Sequence, residues 1–158
     1  MIDAKVKLDL TPGEQLAKSG LRRATRIGLS RAASPVKGSV VSHANSVRRF
    51  GFLAKSIRIR LRIYPSERYV AVVGPSMNFI RTKGKYKRGK HKGQPRRHRP
   101  AYYAHLVERG TKRSRARPWL APAHAESASG FIENARREVG AEITRELDRQ
   151  RAREGGRT

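Results

Sequence analysis

The chain has 158 residues, of which 37% are hydrophobic and none is cysteine. This length and apolar content predict a single domain over residues 1–153 with its own core, and the missing cysteines exclude disulfides, thiolate metal sites and cysteine nucleophiles. Lys and Arg number 37 against 12 Asp and Glu, a formal net charge of +25, so the expected partners are polyanions or acidic protein surfaces. No stretch approaches the ~20 apolar residues that cross a bilayer, and the N-terminus lacks a signal-peptide pattern. We therefore expect no membrane partner and a protein used in a cytoplasm, or in a particle assembled there.

The N-terminal part of the chain changes from a strand period to a helix period. Apolar and polar residues alternate over residues 2–10, which predicts a half-buried strand. Residues 11–14 match a helix capping box, and apolar residues then recur at steps of three and four. We predict a helix over residues 12–34 that ends at Pro35, because proline disfavours helix in the residue before it. Residues 35–52 carry few apolar anchors and are predicted to form a loop or a weakly ordered arm.

A second alternating segment predicts an antiparallel hairpin over residues 56–74. Isoleucine and leucine alternate with Arg58, Arg60 and Arg62, and a β-rich run starting at Tyr69 follows a turn. The three arginines lie on one strand face, opposite the apolar residues. Like charges side by side are unfavourable without an acid opposite them, so we predict a partner carboxylate or a subunit contact at this arginine row.

Residues 81–99 form a strongly basic segment, and no acid occurs between Glu67 and Glu108. Its ten predicted partner-binding cations are Arg81, Lys83, Lys85, Lys87, Arg88, Lys90, Lys92, Arg96, Arg97 and Arg99. Such a composition cannot offset its ordering entropy alone, so we predict an extended flexible loop that becomes ordered on a partner. The partner is either nucleic acid, bound without sequence preference because Tyr86 is the only aromatic residue, or an acidic protein surface. We favour the protein surface, and a solvated loop without a partner is the third alternative.

The C-terminal part completes an α+β fold. Structure is expected to resume at residues 101–108, followed by a turn at 109–111 and an apolar turn at 117–123. A helix is predicted beyond that point, because Ile132, Val139, Ile143 and Leu147 recur at helical spacing. We predict a small antiparallel sheet packed with the N-terminal and C-terminal helices, the long basic loop inserted between them, and a frayed tail at 154–158.

The sequence contains no constellation that predicts catalysis, a metal site or a cofactor. The five histidines are far apart, and none lies at ligand spacing from another or from a carboxylate. Glu67 and Glu108 bracket the basic segment and are expected to neutralise nearby arginines. The glycines of the basic segment are not followed by a helix start, so a phosphate-binding loop is not predicted.

Two stretches of the chain resemble the signature of a small phage morphogenesis family. Residues 102–111 read YYAHLVERGT and residues 117–123 read RPWLAPA, which is similar to that family's tyrosine, V-E-x-G-T and R-P-aromatic-L-x-P-A pattern. Residues 51–57, GFLAKSI, resemble its lead into the first central strand. The motif residues are Gly51, Leu53, Ser56, Ile57, Tyr103, Glu108, Gly110, Thr111, Pro118, Trp119, Leu120 and Pro122.

These motif residues also have a physical interpretation, which is structural. Gly110 suits a positive φ after a strand or helix end, and Thr111 can hydrogen-bond its local backbone. Pro118 and Pro122 fix φ on either side of two large apolar residues. The resulting rigid turn is expected to insert Trp119 into the core ahead of the last helix.

The resemblance implies a function in virion assembly. Members of the family are described as minor tail, tail-completion or head–tail joining (neck) proteins of long-tailed bacteriophages, without enzymatic activity. It implies a homo-oligomeric ring, sixfold or twelvefold, between the portal or connector and the tail tube, with nonspecific contact to channel DNA as a secondary role. The expected location is therefore the virion neck, assembled in the host cytoplasm. The charge alone suggests an alternative, a sequence-nonspecific nucleic-acid-binding protein of ribosomal-protein type, whereas a small basic nuclease has no supporting constellation.

Overall fold

The computed structural model describes residues 18–47, 51–64 and 68–155. The elements in chain order are α1 (Lys18–Ser46), α2 (Phe52–Ser56), β1 (Ile57–Ile63), β2 (Tyr69–Pro75), β3 (Arg81–Lys85), β4 (Pro95–His98), α3 (Pro100–Arg109) and α4 (Leu120–Gly155). The predicted α+β class is confirmed. The predicted strand over residues 2–10 and the capping box at 11–14 lie outside the described residues.

The core is built around the antiparallel contact of the two long helices α1 and α4, the most extensive contact between elements in the described chain. Small side chains allow a close approach: a Cβ added to Gly28 would lie 2.6 Å from the Cα of Val139. Beside this crossing, the buried carboxylate of Glu142 accepts hydrogen bonds from Arg31 on α1 and Arg145 on α4. The ion pair between Arg31 and Glu142 therefore links the two helices beside this crossing.

Helix α1 continues through Pro35 to Ser46, so the predicted end at Pro35 and the predicted loop after it are wrong. An internal proline removes one helical hydrogen bond and costs ~3 kcal/mol. The helical apolar spacing continues, however, with Val36 and Val40 buried in the core, and full burial of such side chains stabilises by ~1.5–3 kcal/mol each. Pro35 itself is exposed, so the missing hydrogen bond lies on the solvent side.

Strands β1 and β2 form the predicted antiparallel hairpin, which packs on α1. Ile57 pairs with Pro75 and Ile63 with Tyr69 at the two ends of the ladder. Burial decreases along β1, since Ile57 is fully buried and Ile63 is 43% exposed. Between these ends the apolar residues are partly buried and the arginines exposed, which confirms the predicted alternation.

Helix α4 begins at Leu120, earlier than the sequence indicated, and takes in part of the predicted apolar turn. Pro122 lies in its first turn, where backbone N–H groups have no intrahelical acceptor and proline costs little. The helical period is confirmed by Val139 and Ile143, which are buried. Ile132 was predicted on the same face but is exposed, and Phe131 occupies that position in the core instead.

Candidate polyanion-binding surface

The basic segment forms a β-hairpin in place of the irregular loop predicted from its composition. Strands β3 and β4 pair antiparallel, with Arg81 opposite His98 and Thr82 opposite Arg97, and the register shifts before Lys85 pairs with Pro95. We name residues 81–98 the basic hairpin. All of its residues are exposed except His98, which is half-buried.

The tip of the basic hairpin is a hydrogen-bonded turn. The N–H of Tyr86 donates to the carbonyl of Gln94 at 3.0 Å, and the N–H of Gly93 donates back to the carbonyl of Tyr86 at 2.9 Å. Gly89 and Gly93 have φ of 83° and 81°, values that glycine adopts without a steric cost. These glycines allow the chain to reverse direction. The prediction of an irregular loop was based on charge and did not consider them.

Aromatic contacts mark the root of the basic hairpin. The ring of His98 lies 5.3 Å from that of Phe52 on α2. The Arg81 guanidinium lies 5.5 Å from the centre of the Phe79 ring, and that of Arg99 lies 5.8 Å from the Tyr102 ring. The hairpin therefore joins the rest of the protein beside several aromatic side chains, next to the start of α3.

The arginine row on β1 faces apolar residues across the ladder, since Arg58, Arg60 and Arg62 pair with Gly74, Val72 and Val70. Arg58 donates to the carbonyl of Lys55 at 3.1 Å, and Arg60 donates to that of Pro75 at 3.4 Å. A carboxylate opposite the row is therefore absent from the paired strand β2. The partner carboxylate or subunit contact stays a prediction.

Glu108 has a role that sequence reasoning missed. Its carboxylate accepts the backbone N–H groups of Trp119 at 2.8 Å, Leu120 at 2.9 Å and Ala121 at 3.1 Å. The side chain thus caps α4 from the end of α3, where the helix dipole also favours a negative charge. The expectation that Glu108 neutralises nearby arginines is therefore wrong, and Glu67 lies outside the described residues.

The hydrogen bonds to Glu108 set its ionisation. Burial alone would raise its pKa, but the three backbone N–H donors outweigh burial and hold the pKa of Glu108 below the ordinary 4.5. The carboxylate is therefore ionised at neutral pH, as the cap requires. On the same helix, α3, burial raises the pKa of Tyr103.

The turn after α3 confirms the structural interpretation of the motif. Gly110 has φ 77° and ψ −176°, a conformation that is essentially restricted to glycine. The hydroxyl of Thr111 accepts the N–H of Arg113 at 3.2 Å, as expected for a local turn. Trp119 is buried, and the preceding Pro118 is exposed, so the turn does insert the indole into the core.

The earlier motif, residues 51–57, is also structural. Gly51 has φ 68° and precedes α2. Leu53, Ser56 and Ile57 are buried, and the Ser56 hydroxyl donates to the Leu53 carbonyl at 2.6 Å. The Ser56 carbonyl accepts the N–H of Ser76 at 2.8 Å, so the motif joins the start of β1 to the end of β2.

A cleft of about 590 Å³ lies between β2, α3 and the start of α4. Its lining includes Arg60, His105, Trp119 and His124. The carboxylate in its wall, Glu108, is already occupied by the helix cap, and the Trp119 Nε1–H is buried without a hydrogen-bond acceptor. No group of three or more His, Asp or Glu side chains in the described part of the chain could hold a metal ion.

No family model, no curated protein and no solved structure matches the chain. None of the helices within the described ranges has the length and apolar character needed to span a membrane.

Proposed function

We propose that this protein is a structural virion protein, a subunit of a homo-oligomeric ring at the neck of a long-tailed phage. The observation that carries this proposal is that the folded protein exposes the basic hairpin, residues 81–98, which contains many cations and no acid. The Glu108 cap and the Gly110 turn fix α3 relative to α4, and the basic hairpin precedes α3 directly. Its resemblance to phage tail-completion and head–tail joining proteins supports the neck as the location.

Electrostatics supports a polyanionic neighbour for such a ring. Each copy carries a formal charge of +25, and adjacent copies repel one another wherever their surfaces lie within the ~8–10 Å Debye length. No acid lies between Glu67 and Glu108, so the surface of the basic hairpin is strongly positive. A closed ring is therefore favoured when portal, connector or tail-tube surfaces, or DNA in the channel, supply negative charge.

Particle assembly without the protein tests this proposal. A phage with the gene deleted is expected to make DNA-filled heads and separate tails, and supplying the intact chain in trans should restore joined particles. Mass spectrometry of purified wild-type virions should detect the chain. Infectious tailed particles from the deletion, or virions that lack the protein, would contradict the neck assignment and favour the alternative, a nucleic-acid-binding protein of ribosomal-protein type.

A further inference from the structure

We infer that the basic hairpin binds the groove of double-stranded DNA without sequence preference. The inference rests on the proposed function, because it names the DNA of the neck channel as the partner of this surface. It also reverses the preference for an acidic protein surface that composition alone suggested.

The two faces of the hairpin both carry cations. Paired residues of an antiparallel ladder lie on the same face, so Arg81 and His98 share one face and Thr82 and Arg97 share the other. Arg81 thus supplies a cation on one face and Arg97 a cation on the other. Lys83 lies in the register shift that follows Thr82. A DNA groove has a phosphate backbone along each side, so cations on both faces of an inserted ribbon can contact phosphates.

The dimensions of the hairpin match the major groove. Paired strands lie ~4.8 Å apart, and a five-residue strand extends ~17 Å, while the major groove is ~12 Å wide and admits a two-stranded ribbon. Four more cations stand on the tip, at Lys87, Arg88, Lys90 and Lys92, and all four are exposed. A Cβ added to Gly89 or Gly93 would meet nothing within 4 Å, so the tip has open space around it.

The low stability expected of the hairpin by itself also favours DNA as its partner. An isolated two-stranded ribbon is marginally stable in water, and the cations of residues 81–98, with no acid among them, repel one another and weaken it further. Phosphates on both faces would neutralise this repulsion and release counterions. The tip offers only Tyr86 as an aromatic group, 39% exposed and 6.0 Å from the His91 ring, which is too little for base stacking along a single strand.

Binding of a mixed-sequence duplex of about 30 base pairs, roughly three helical turns, tests the inference. Fluorescence anisotropy with the full-length protein over a series of NaCl concentrations gives both affinity and salt dependence. We expect Lys87→Gln, Arg88→Gln, Lys90→Gln and Lys92→Gln together to lower the salt slope by about 3 to 4, since each phosphate contact contributes ~0.9. Because the tip lies outside the core, circular dichroism and the melting temperature should match the wild type.

A charge-matched variant separates the hairpin from the general positive field. Arg22→Gln, Arg23→Gln, Arg151→Gln and Arg153→Gln remove the same charge from exposed positions on α1 and α4, and should change the slope by less than about 1. Equal effects from the two variants would overturn the hairpin as the binding site. So would the absence of duplex binding by the wild type.

Competitors identify the partner and the groove. We expect the protein to displace methyl green, a major-groove ligand, and to leave netropsin, a minor-groove ligand, in place. Poly-glutamate that competes as well as DNA at equal charge would point to an acidic protein partner and overturn the inference, as would preference for single-stranded DNA. These outcomes differ from a failure of the neck proposal. A virion protein that does not bind duplex DNA would refute only the inference about the hairpin. A DNA-binding chain that is absent from virions would refute only the assignment to the phage neck.

Discussion

Replacing Gly28 by alanine tests how closely α1 and α4 approach each other. The new Cβ would lie 2.6 Å from the Val139 Cα, 2.8 Å from its N and 2.9 Å from the Glu138 carbonyl oxygen, whereas ordinary contacts begin at 3.4 Å. These are backbone atoms, so no side-chain rotation relieves the overlap and the helices must separate. Overpacking of this kind costs ~1–3 kcal/mol, here towards the upper end.

The helix propensity of alanine offsets part of that cost. Alanine stabilises a helix interior by ~1 kcal/mol relative to glycine, so we expect Gly28→Ala to lower the free energy of unfolding by about 2 kcal/mol net. Urea denaturation should show this loss, with a fall in melting temperature of roughly 4–8 °C for a chain of this size.

Gly38 provides the matched control on the same helix. It is exposed, and a Cβ there would meet nothing within 4 Å. Gly38→Ala should therefore stabilise the protein by ~0.5–1 kcal/mol. If Gly28→Ala proved as stabilising as Gly38→Ala, the close approach of the two helices would be refuted.

Three further predictions concern the α3–α4 junction. Trp119→Ala should lower the free energy of unfolding in urea by ~3–5 kcal/mol, and a soluble, fully stable variant with only an assembly defect would instead place the indole at an interface. Gly110→Ala should lower the free energy of unfolding by at least ~2 kcal/mol, because the backbone conformation is strained for alanine and the new Cβ would lie 2.7 Å from the Ala116 N. A loss below ~1 kcal/mol would mean that the turn rearranges. Glu108 has a lowered pKa, so its stabilisation is complete above pH 4.5 and is lost as the pH falls through its folded-state value. Glu108→Gln should thus be less stable than the wild type at neutral pH, with the gap narrowing in acid, and a gap independent of pH would contradict this cap.

The β1–β2 hairpin could be predicted from sequence because its signal is local. Isoleucine and leucine alternate strictly with arginine between Ile57 and Ile63, so one register alone buries the apolar set. The burial of Trp119 and the positive φ of Gly110 followed from the chemistry of single residues. Each of these inferences needs no knowledge of what lies elsewhere in the chain.

Two of the errors occur where a distant part of the chain decides the structure, and a third where a local signal for a hairpin was given less weight than the charge. Pro35 ends a helix by local rules, but Val36 and Val40 are buried with α4 in one core, and that helix begins more than 80 residues later. Glu108 was predicted to neutralise arginines because the sequence does not show that the backbone N–H groups of Trp119 and Leu120 lie beside its carboxylate. Charge repulsion suggested an irregular basic loop, yet glycines at 84, 89 and 93 turn the chain into a hairpin. A sequence signal for it was present in Arg81, Lys83 and Lys85, which alternate with smaller residues.

The pairing of the first and last helices has a consequence for synthesis on the ribosome. Helix α1 is complete at Ser46, but its main partner starts at Leu120. At ~5–20 residues per second, on the order of ten seconds pass between the two. During that interval α2 and the β1–β2 hairpin are the described elements that can cover the alanine-rich and valine-rich stripe of α1, and the nascent chain already carries the cations of the basic hairpin. Completion of α4 is therefore the step that gives the chain its folded core.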